Sequence, residues 1–137
     1  MYYEDRRKLW LVGLLFLLLA TAVTGWWMFK KDHPGEYGAI SLSSSSLGYG
    51  AAWGYSDPDA ARARAQAECA KSGVNDCAVR VSVAGSCAAL VMSPATNHVF
   101  AVTDADKTTA SATALAQCQA DGAGDCVMQA NFCGSGA

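Results

Sequence analysis

A nine-residue stretch bounded by two cysteines occurs twice in the chain, first from Cys69 to Cys77 as CAKSGVNDC and again from Cys118 to Cys126 as CQADGAGDC. In both copies a glycine lies four positions after the first cysteine, and an aspartate directly precedes the second. The copies begin at positions 69 and 118, an offset of 49. This self-similarity indicates an internal duplication, and the fold is expected to contain the same unit twice. The same offset relates Gly73 to Gly122 and Asp76 to Asp125 within the stretch, and Asp57 to Asp106 before it.

The segment before the first cysteine pair predicts a strand with one aromatic face and one small face. Residues 48–56 have the sequence GYGAAWGYS, in which larger residues alternate with small ones. Because strand side chains point alternately to the two faces, we expect Tyr49, Trp53 and Tyr55 to share one face. Glycine weakens a strand unless another backbone approaches closely, so we expect a helix to pack on the opposite face.

A helix is predicted directly after this strand. Asp57 is a favoured N-cap residue and Pro58 suits the first helical position. The segment 58–71 that follows is rich in alanine, the best helix former. Gly73 suits the left-handed position that ends many helices. The alternating sequence CAVRVSV over residues 77–83 then predicts another strand.

The second copy predicts the same order of elements, with a helix capped by Asp106 that ends near Gly122. Its strands are predicted over residues 87–92, 98–103 and 126–133. With a further strand over residues 38–42, the predicted fold class is α+β, with two strand-strand-helix-strand repeats in a domain spanning residues 37–134. The strands are expected to form one mostly antiparallel sheet or two small ones, with both helices packed over it.

The N-terminal part of the chain contains a long uncharged segment. Residues 9–29 hold no charged side chain, and a helix of that length rises about 30 Å, enough to cross a bilayer. We therefore predict a cytoplasmic tail over residues 1–8, a transmembrane helix or signal anchor over residues 9–29, and a linker over residues 30–36. The alternative is secretion after cleavage of a signal peptide, because residues 20–22 have the small-x-small form of a cleavage site.

All six cysteines follow this segment, which favours disulfides in an oxidising compartment. The repeat symmetry pairs the cysteines within each nine-residue stretch and leaves one more pair in the second copy. The predicted disulfides are Cys69–Cys77, Cys118–Cys126 and Cys87–Cys133. A metal site is the alternative, but zinc-binding cysteines are usually separated by about two to four residues. We therefore expect no metal and no cofactor.

The charge balance and the sparse histidines exclude several function classes. From Pro34 onward there are five Lys/Arg and nine Asp/Glu residues, a net charge of −4. A nucleic-acid-binding surface needs the opposite sign, so we expect no nucleic-acid partner. No G-x-S-x-G motif for nucleophilic hydrolysis occurs. Asp57, Asp104 and Asp106 could form an acid-base pair of a hydrolase, but their positions before the helices favour capping and helix-dipole complementarity.

Several of these motifs occur together in a known family. The GYG-x-x-WGYS stretch, the alanine-rich helix ending in ECA, the G-x-x-DC and the CAAL resemble the domain-of-unknown-function family 4189 over about residues 37–133. The resemblance implies a small secreted or membrane-anchored bacterial domain outside the cytoplasm, and it transfers no catalytic residue. Residues 100–103 depart from the aromatic, glycine-rich second hairpin that the family leads us to expect.

The prediction for function is a non-catalytic binding module of the cell envelope. It would be anchored by residues 9–29 in the bacterial inner membrane, with its C-terminal domain in the periplasm or outside the cell. Its partner would be a protein or an envelope polymer, bound by Tyr49, Trp53 and Tyr55, because Tyr and Trp are favoured in recognition sites. The alternative for these aromatics is packing in the core. The alternatives for function are a small envelope hydrolase using the three aspartates above and an accessory subunit of a membrane complex.

Overall fold

The computed structural model describes residues 8–18 and 35–135, and the two ranges belong to separate units of the chain. The predicted membrane span, residues 9–29, falls partly on the described range, where residues 8–18 are helical. Residues 19–29 of the predicted span lie outside the described ranges. In the described part of the chain, no helix is long and apolar enough to cross a membrane. The prediction of an N-terminal transmembrane helix, and the fold class that included it, is therefore wrong.

The other N-terminal predictions concern residues that the structure does not describe. The tail over residues 1–7, the tripeptide at 20–22 and the linker up to residue 34 all lie outside the described ranges.

The described C-terminal unit consists of two strand-strand-helix-strand repeats, as the duplicated sequence predicts. In chain order the elements are β1 (Tyr37–Ser43), β2 (Tyr49–Tyr55), α1 (Pro58–Ala70), β3 (Cys77–Ala84), β4 (Cys87–Ser93), β5 (His98–Asp104), α2 (Lys107–Ala120) and β6 (Val127–Cys133). Each repeat forms its own antiparallel three-stranded sheet. The strand orders are β2-β1-β3 and β5-β4-β6, so the first strand of each repeat is the central one.

The two sheets pack face to face, and one helix covers the outer face of each. Between the sheets lies a core that includes Ile40 and Val83 from the first sheet with Leu90 and Phe132 from the second. Alanines of α1 pack on the outer face of the first sheet, and alanines of α2 do the same on the second. The architecture is therefore helix, sheet, sheet, helix. Strand β4 has neighbours on both faces, and all seven of its residues are buried.

The small residues of β2 allow α1 to approach the sheet closely. A Cβ atom at Gly50 would lie 2.0 Å from the carbonyl oxygen of Ala65 and 2.3 Å from the amide nitrogen of Cys69. Ala52 lies in the same cluster as Ala61 and Ala65. The prediction that a helix packs on the small face of this strand is confirmed at Gly50 and Ala52.

Three disulfides connect these elements, and the pairs match those predicted from the repeat. Cys69–Cys77 and Cys118–Cys126 each join the end of a helix to the start of the following strand. Cys87–Cys133 joins the first and last strands of the second repeat. No cysteine of the chain is free.

Candidate functional site

Strand β2 contains a β-bulge at Trp53 and Gly54. Tyr37 pairs with Tyr55, and Ala39 pairs with Ala52, so two residues of β2 lie opposite the single residue between them in β1. Gly54 has a φ of +77°, a left-handed conformation that glycine adopts without strain. Its amide nitrogen donates to the carbonyl oxygen of Gly134 at 3.2 Å, which ties the bulge to the end of β6.

The bulge is a difference between the two repeats. Strand β5 pairs with β4 in regular register from His98 to Asp104. Before the bulge the two repeats are offset by 50 residues: the pair Leu42–Tyr49 of the first corresponds to the pair Met92–Val99 of the second. After the bulge the offset returns to 49. The first repeat therefore carries one extra residue in its second strand, and bulges of this kind often re-aim a side chain near a functional site.

The bulge overturns one part of the aromatic prediction. Tyr49 packs against the core between the sheets, whereas Tyr55 packs with Tyr37 against the cluster under α1. The expectation that Tyr49, Trp53 and Tyr55 share one face is therefore wrong, because the extra residue reverses the alternation after Trp53. All three nevertheless line one groove.

Trp53 is partly a core residue and partly a surface residue. Its ring stacks on the ring of Phe132, with centroids 5.1 Å apart and planes 22° apart. Phe132 is only 1% exposed and lies directly over Gly38, where a Cβ would come within 2.6 Å of its ring. Trp53 itself is 44% exposed. One side of the indole therefore covers the core, and the rest of the side chain is available to a partner.

The groove has a volume of about 640 Å³ and runs along the side of the sandwich where β2 and β6 lie near each other. Its floor is the unpaired edge of β2, from Tyr49 to Trp53. One wall comes from α1 through Arg64 and Glu68, and the other from residues 129–131 of β6. The sequence analysis predicted neither wall. The β6 wall in particular depends on the packing of the two sheets, which brings β6 next to β2 across a long separation in sequence.

The α1 wall carries a small charged cluster. Glu68 forms ion pairs with Arg64 and, at 2.8 Å, with Lys71. The hydrogen bond from Lys71, together with the positive charge of Arg64, lowers the pKa of the Glu68 carboxyl below its usual value. Two cations therefore share one carboxylate. Arg64 and Glu68 line the groove, and Lys71, directly after the end of α1, adds one positive charge next to it. The i, i+4 spacing of Arg64 and Glu68 on a helix was the available sequence signal.

The three aspartates considered for hydrolysis are hydrogen-bond acceptors at helix starts and do not line the groove. Asp57 accepts from the amide of Ala60 at 3.1 Å. Asp106 accepts from the amide of Thr109 at 2.8 Å and from its hydroxyl at 3.0 Å, and these bonds lower its pKa. Asp104 accepts from the amide of Asp106 at 3.0 Å. A carboxyl with a lowered pKa is a poor general acid at neutral pH.

Two further ionisable side chains at the surface of the second repeat form a pair. His98 pairs with Asp121 at the start of β5. Among the described residues no cluster of three or more His, Cys, Asp or Glu side chains has the geometry to hold a metal ion.

Comparison with known proteins gives a family and no further relative. No curated protein and no solved structure matches the chain. The family described as "Domain of unknown function (DUF4189)" matches residues 37–133, which includes β1 through β6 and therefore both repeats. The chain belongs to this family, Domain of unknown function (DUF4189).

Proposed function

We propose that residues 37–133 form a non-catalytic binding module that works outside the cytoplasm, at the cell envelope. The observation that carries the proposal is the groove beside β2, where a half-exposed tryptophan lies next to an unpaired strand edge. The site would hold a macromolecule of the envelope along this groove. The groove contains no carboxylate pair and no nucleophile-base pair, which favours binding over hydrolysis.

Support for the recognition role comes from Trp53. The stack on Phe132 fixes the indole ring, so a partner would lose little conformational entropy in ordering it. Rigid, partly exposed Trp and Tyr side chains are enriched among the residues that dominate binding energy. The bulge at Gly54, which has no counterpart in β5, would then exist to place this ring.

Support for the compartment comes from the disulfides. All six cysteines are paired, and stable disulfides are rare in the reducing cytoplasm. A domain of this size also gains a large share of its stability from such cross-links.

Site-specific photocrosslinking tests the proposal. A benzophenone amino acid is placed at Gln129, on the β6 wall of the groove, in cells that produce the full chain. The matched control carries it at Arg80, which occupies the corresponding bulge of β3. We expect covalent adducts with one macromolecule from position 129 and a background level from position 80. Equal yields from both positions, or no adduct from position 129, would refute a binding role for the groove.

A further inference from the structure

We propose that the open edge of β2 binds an extended, acidic segment of a partner protein as an added β-strand. This inference rests on the proposed function and names the class of partner that the groove receives. The main chain of β2 would be the principal recognition element. Trp53 and the α1 wall would contact the added strand from its two sides.

The hydrogen-bonding pattern of the β1–β2 ladder leaves groups of β2 directed toward the groove. The amide of Ser43 donates to the carbonyl oxygen of Gly48 at 2.8 Å, so these residues form a hydrogen-bonded pair. Along a regular antiparallel ladder, hydrogen-bonded and non-hydrogen-bonded pairs alternate. Tyr49 and Ala51, one and three positions further, therefore direct their N–H and C=O groups away from β1. Within residues 35–135 no hydrogen bond engages these groups on the groove side.

The side chains along this edge leave room for another backbone. Gly50, Ala51 and Ala52 are the smallest residues that a strand can present, and all three line the groove. Tyr49 and Trp53 lie at the two ends of this small segment and would contact the side chains of an added strand. The segment contains neither a charge nor a proline, the two features that most often protect a strand edge from pairing.

The other three sheet edges of the described domain differ from this one. Strand β3 has a bulge that contains Arg80, and β6 has a bulge that contains Gln129. Strand β5 begins at His98 and ends at Asp104, so both of its ends carry a polar or charged side chain. Bulges and charges blunt strand edges against addition. Strand β2 also has a bulge, but it lies near the end of the strand, at Trp53 and Gly54. The regular segment 49–52 of β2 is therefore the part of the sandwich best suited to receive a strand.

The charge next to the groove favours an acidic strand. Arg64 and Lys71 together exceed the single carboxylate of Glu68 that they share. The domain as a whole is acidic, with a net charge of −4 from Pro34 onward. The net negative charge therefore disfavours an acidic segment in general, whereas Arg64 and Lys71 favour it at this wall. Charge of this kind chiefly sets the specificity and the rate of association.

The test uses a phage library of random linear peptides about ten residues long, enough to span a strand of seven residues. Selection is carried out against the oxidised full chain, and enriched peptides are synthesised for fluorescence-polarisation titration. Each peptide is compared with versions that are N-methylated at single positions. The protein variants are Ala51→Pro, which removes one edge N–H without removing a β1–β2 hydrogen bond, and Ala101→Pro, the corresponding change in β5.

We expect enriched peptides that contain acidic residues and whose affinity falls at every second N-methylated position. Ala51→Pro should weaken binding by about tenfold or more, because the hydrogen bond donated by the N–H at this position is lost and the proline ring lies at the edge. Ala101→Pro should leave the affinity within about twofold, since it alters the edge strand of the other sheet, outside the groove. If Ala51→Pro does not fold, the N-methylation pattern on the unchanged protein decides the question.

Three results would overturn the inference. One is the absence of any enriched peptide, and another is binding that is insensitive to N-methylation. The third is self-association of the chain that Ala51→Pro abolishes, because the edge would then serve a second copy. If one of these results is found together with adducts from position 129, the groove is a binding site but its partner is not an acidic strand. An envelope polysaccharide would give that combination. The absence of adducts would instead reject the proposed function itself.

Discussion

The hydroxyl of Ser43 donates a hydrogen bond of 2.7 Å to Asp76, which lies 33 positions away along the chain. The second repeat forms the same contact, from Ser93 to Asp125, at 2.6 Å. In both repeats the aspartate directly precedes the cysteine that is bonded to the end of the helix. The contact therefore fixes the end of the central strand against the disulfide-bonded turn. It also explains why the aspartate has the same position in both copies of the nine-residue stretch.

The first prediction concerns the pH dependence of this contact. Hydrogen bonds from Ser43, Ser44 and Ser45 hold the pKa of the Asp76 carboxyl well below its usual range. A carboxyl whose pKa is lowered in the folded state stabilises the fold above its unfolded pKa of about 4. That contribution is lost as the pH falls toward the folded pKa. We therefore expect Asp76→Asn to lower the melting temperature at pH 7, and the difference from the unchanged protein to shrink below about pH 4.

Thermal unfolding followed by circular dichroism between pH 2 and pH 7, about two to three units on either side of the unfolded pKa, checks this prediction. Asp125→Asn should behave in the same way, because bonds from Ser93 and Ala95 lower the pKa of its carboxyl. Asp59→Asn is the control, since this exposed carboxylate pairs only with the exposed Arg62 and such pairs contribute little. A pH-independent effect of Asp76→Asn would contradict the prediction.

The second prediction ranks the disulfides. Cys87–Cys133 closes a separation of 46 residues, whereas Cys69–Cys77 closes one of 8. In the chain-entropy model the longer loop stabilises by about 4 kcal/mol and the shorter by about 2.6 kcal/mol. Replacing both cysteines of the long loop by alanine should therefore cost about 1.4 kcal/mol more than the same change in the short loop. Urea unfolding of the two double variants measures the difference, and a larger loss from the short loop would contradict this ranking.

Much of the fold follows from the duplication. The two cysteine stretches predict equivalent helix ends and strands, and capping by Asp57 and Asp106 places both helix starts correctly. The membrane helix is the exception. Residues 9–29 satisfy the hydropathy pattern of a span, but among the residues that the structure describes no helix is long and apolar enough to cross a membrane.

The candidate site was only partly predictable. The aromatics were found because strand alternation is visible in the sequence, but the bulge at Gly54 reverses that alternation before Tyr55. A glycine in a strand is compatible with a bulge and with close packing. Gly54 lies in a bulge, and Gly50 allows close packing of α1. The β6 wall depends on how two sheets stack, which involves contacts between residues far apart in sequence. Local periodicity contains no information about such contacts.

The third prediction tests the close-packing role of Gly50. Gly50→Ala places a Cβ at 2.0 Å from the carbonyl oxygen of Ala65, so α1 must move away from the sheet. Overpacking of this kind typically costs about 1–3 kcal/mol, and backbone atoms cannot rotate aside. Gly124→Ala is the matched control, since a Cβ there meets nothing within 4 Å. Chemical denaturation should show the loss for Gly50→Ala and a change within about 0.5 kcal/mol for the control; equal stability of the two variants would refute the close helix packing.

The last prediction concerns Trp53, whose ring covers Phe132 while 44% of the residue stays exposed. Trp53→Ala loses one stacked pair, worth about 0.5–1.5 kcal/mol, and some apolar burial. We therefore expect the free energy of unfolding to fall by about 1–2 kcal/mol, less than the 3–5 kcal/mol typical of a fully buried tryptophan. Trp53→Phe should restore most of this stability, because a phenyl ring can still stack on Phe132.

Adduct formation from position 129 should fall sharply in Trp53→Ala at a temperature where the variant remains folded. Val127→Ala is the control, because this side chain is similarly exposed, at 46%, on the same strand as Gln129 but outside the groove. Far-ultraviolet circular dichroism is the suitable probe of unfolding, since Trp10, Trp26 and Trp27 also contribute to the fluorescence. A stability loss of 3 kcal/mol or more, at the level of a buried aromatic residue, together with unchanged adducts from the folded fraction, would assign Trp53 to the core alone. A moderate loss with reduced adducts would assign it both roles, as expected for a ring that closes the core on one side and meets a partner on the other.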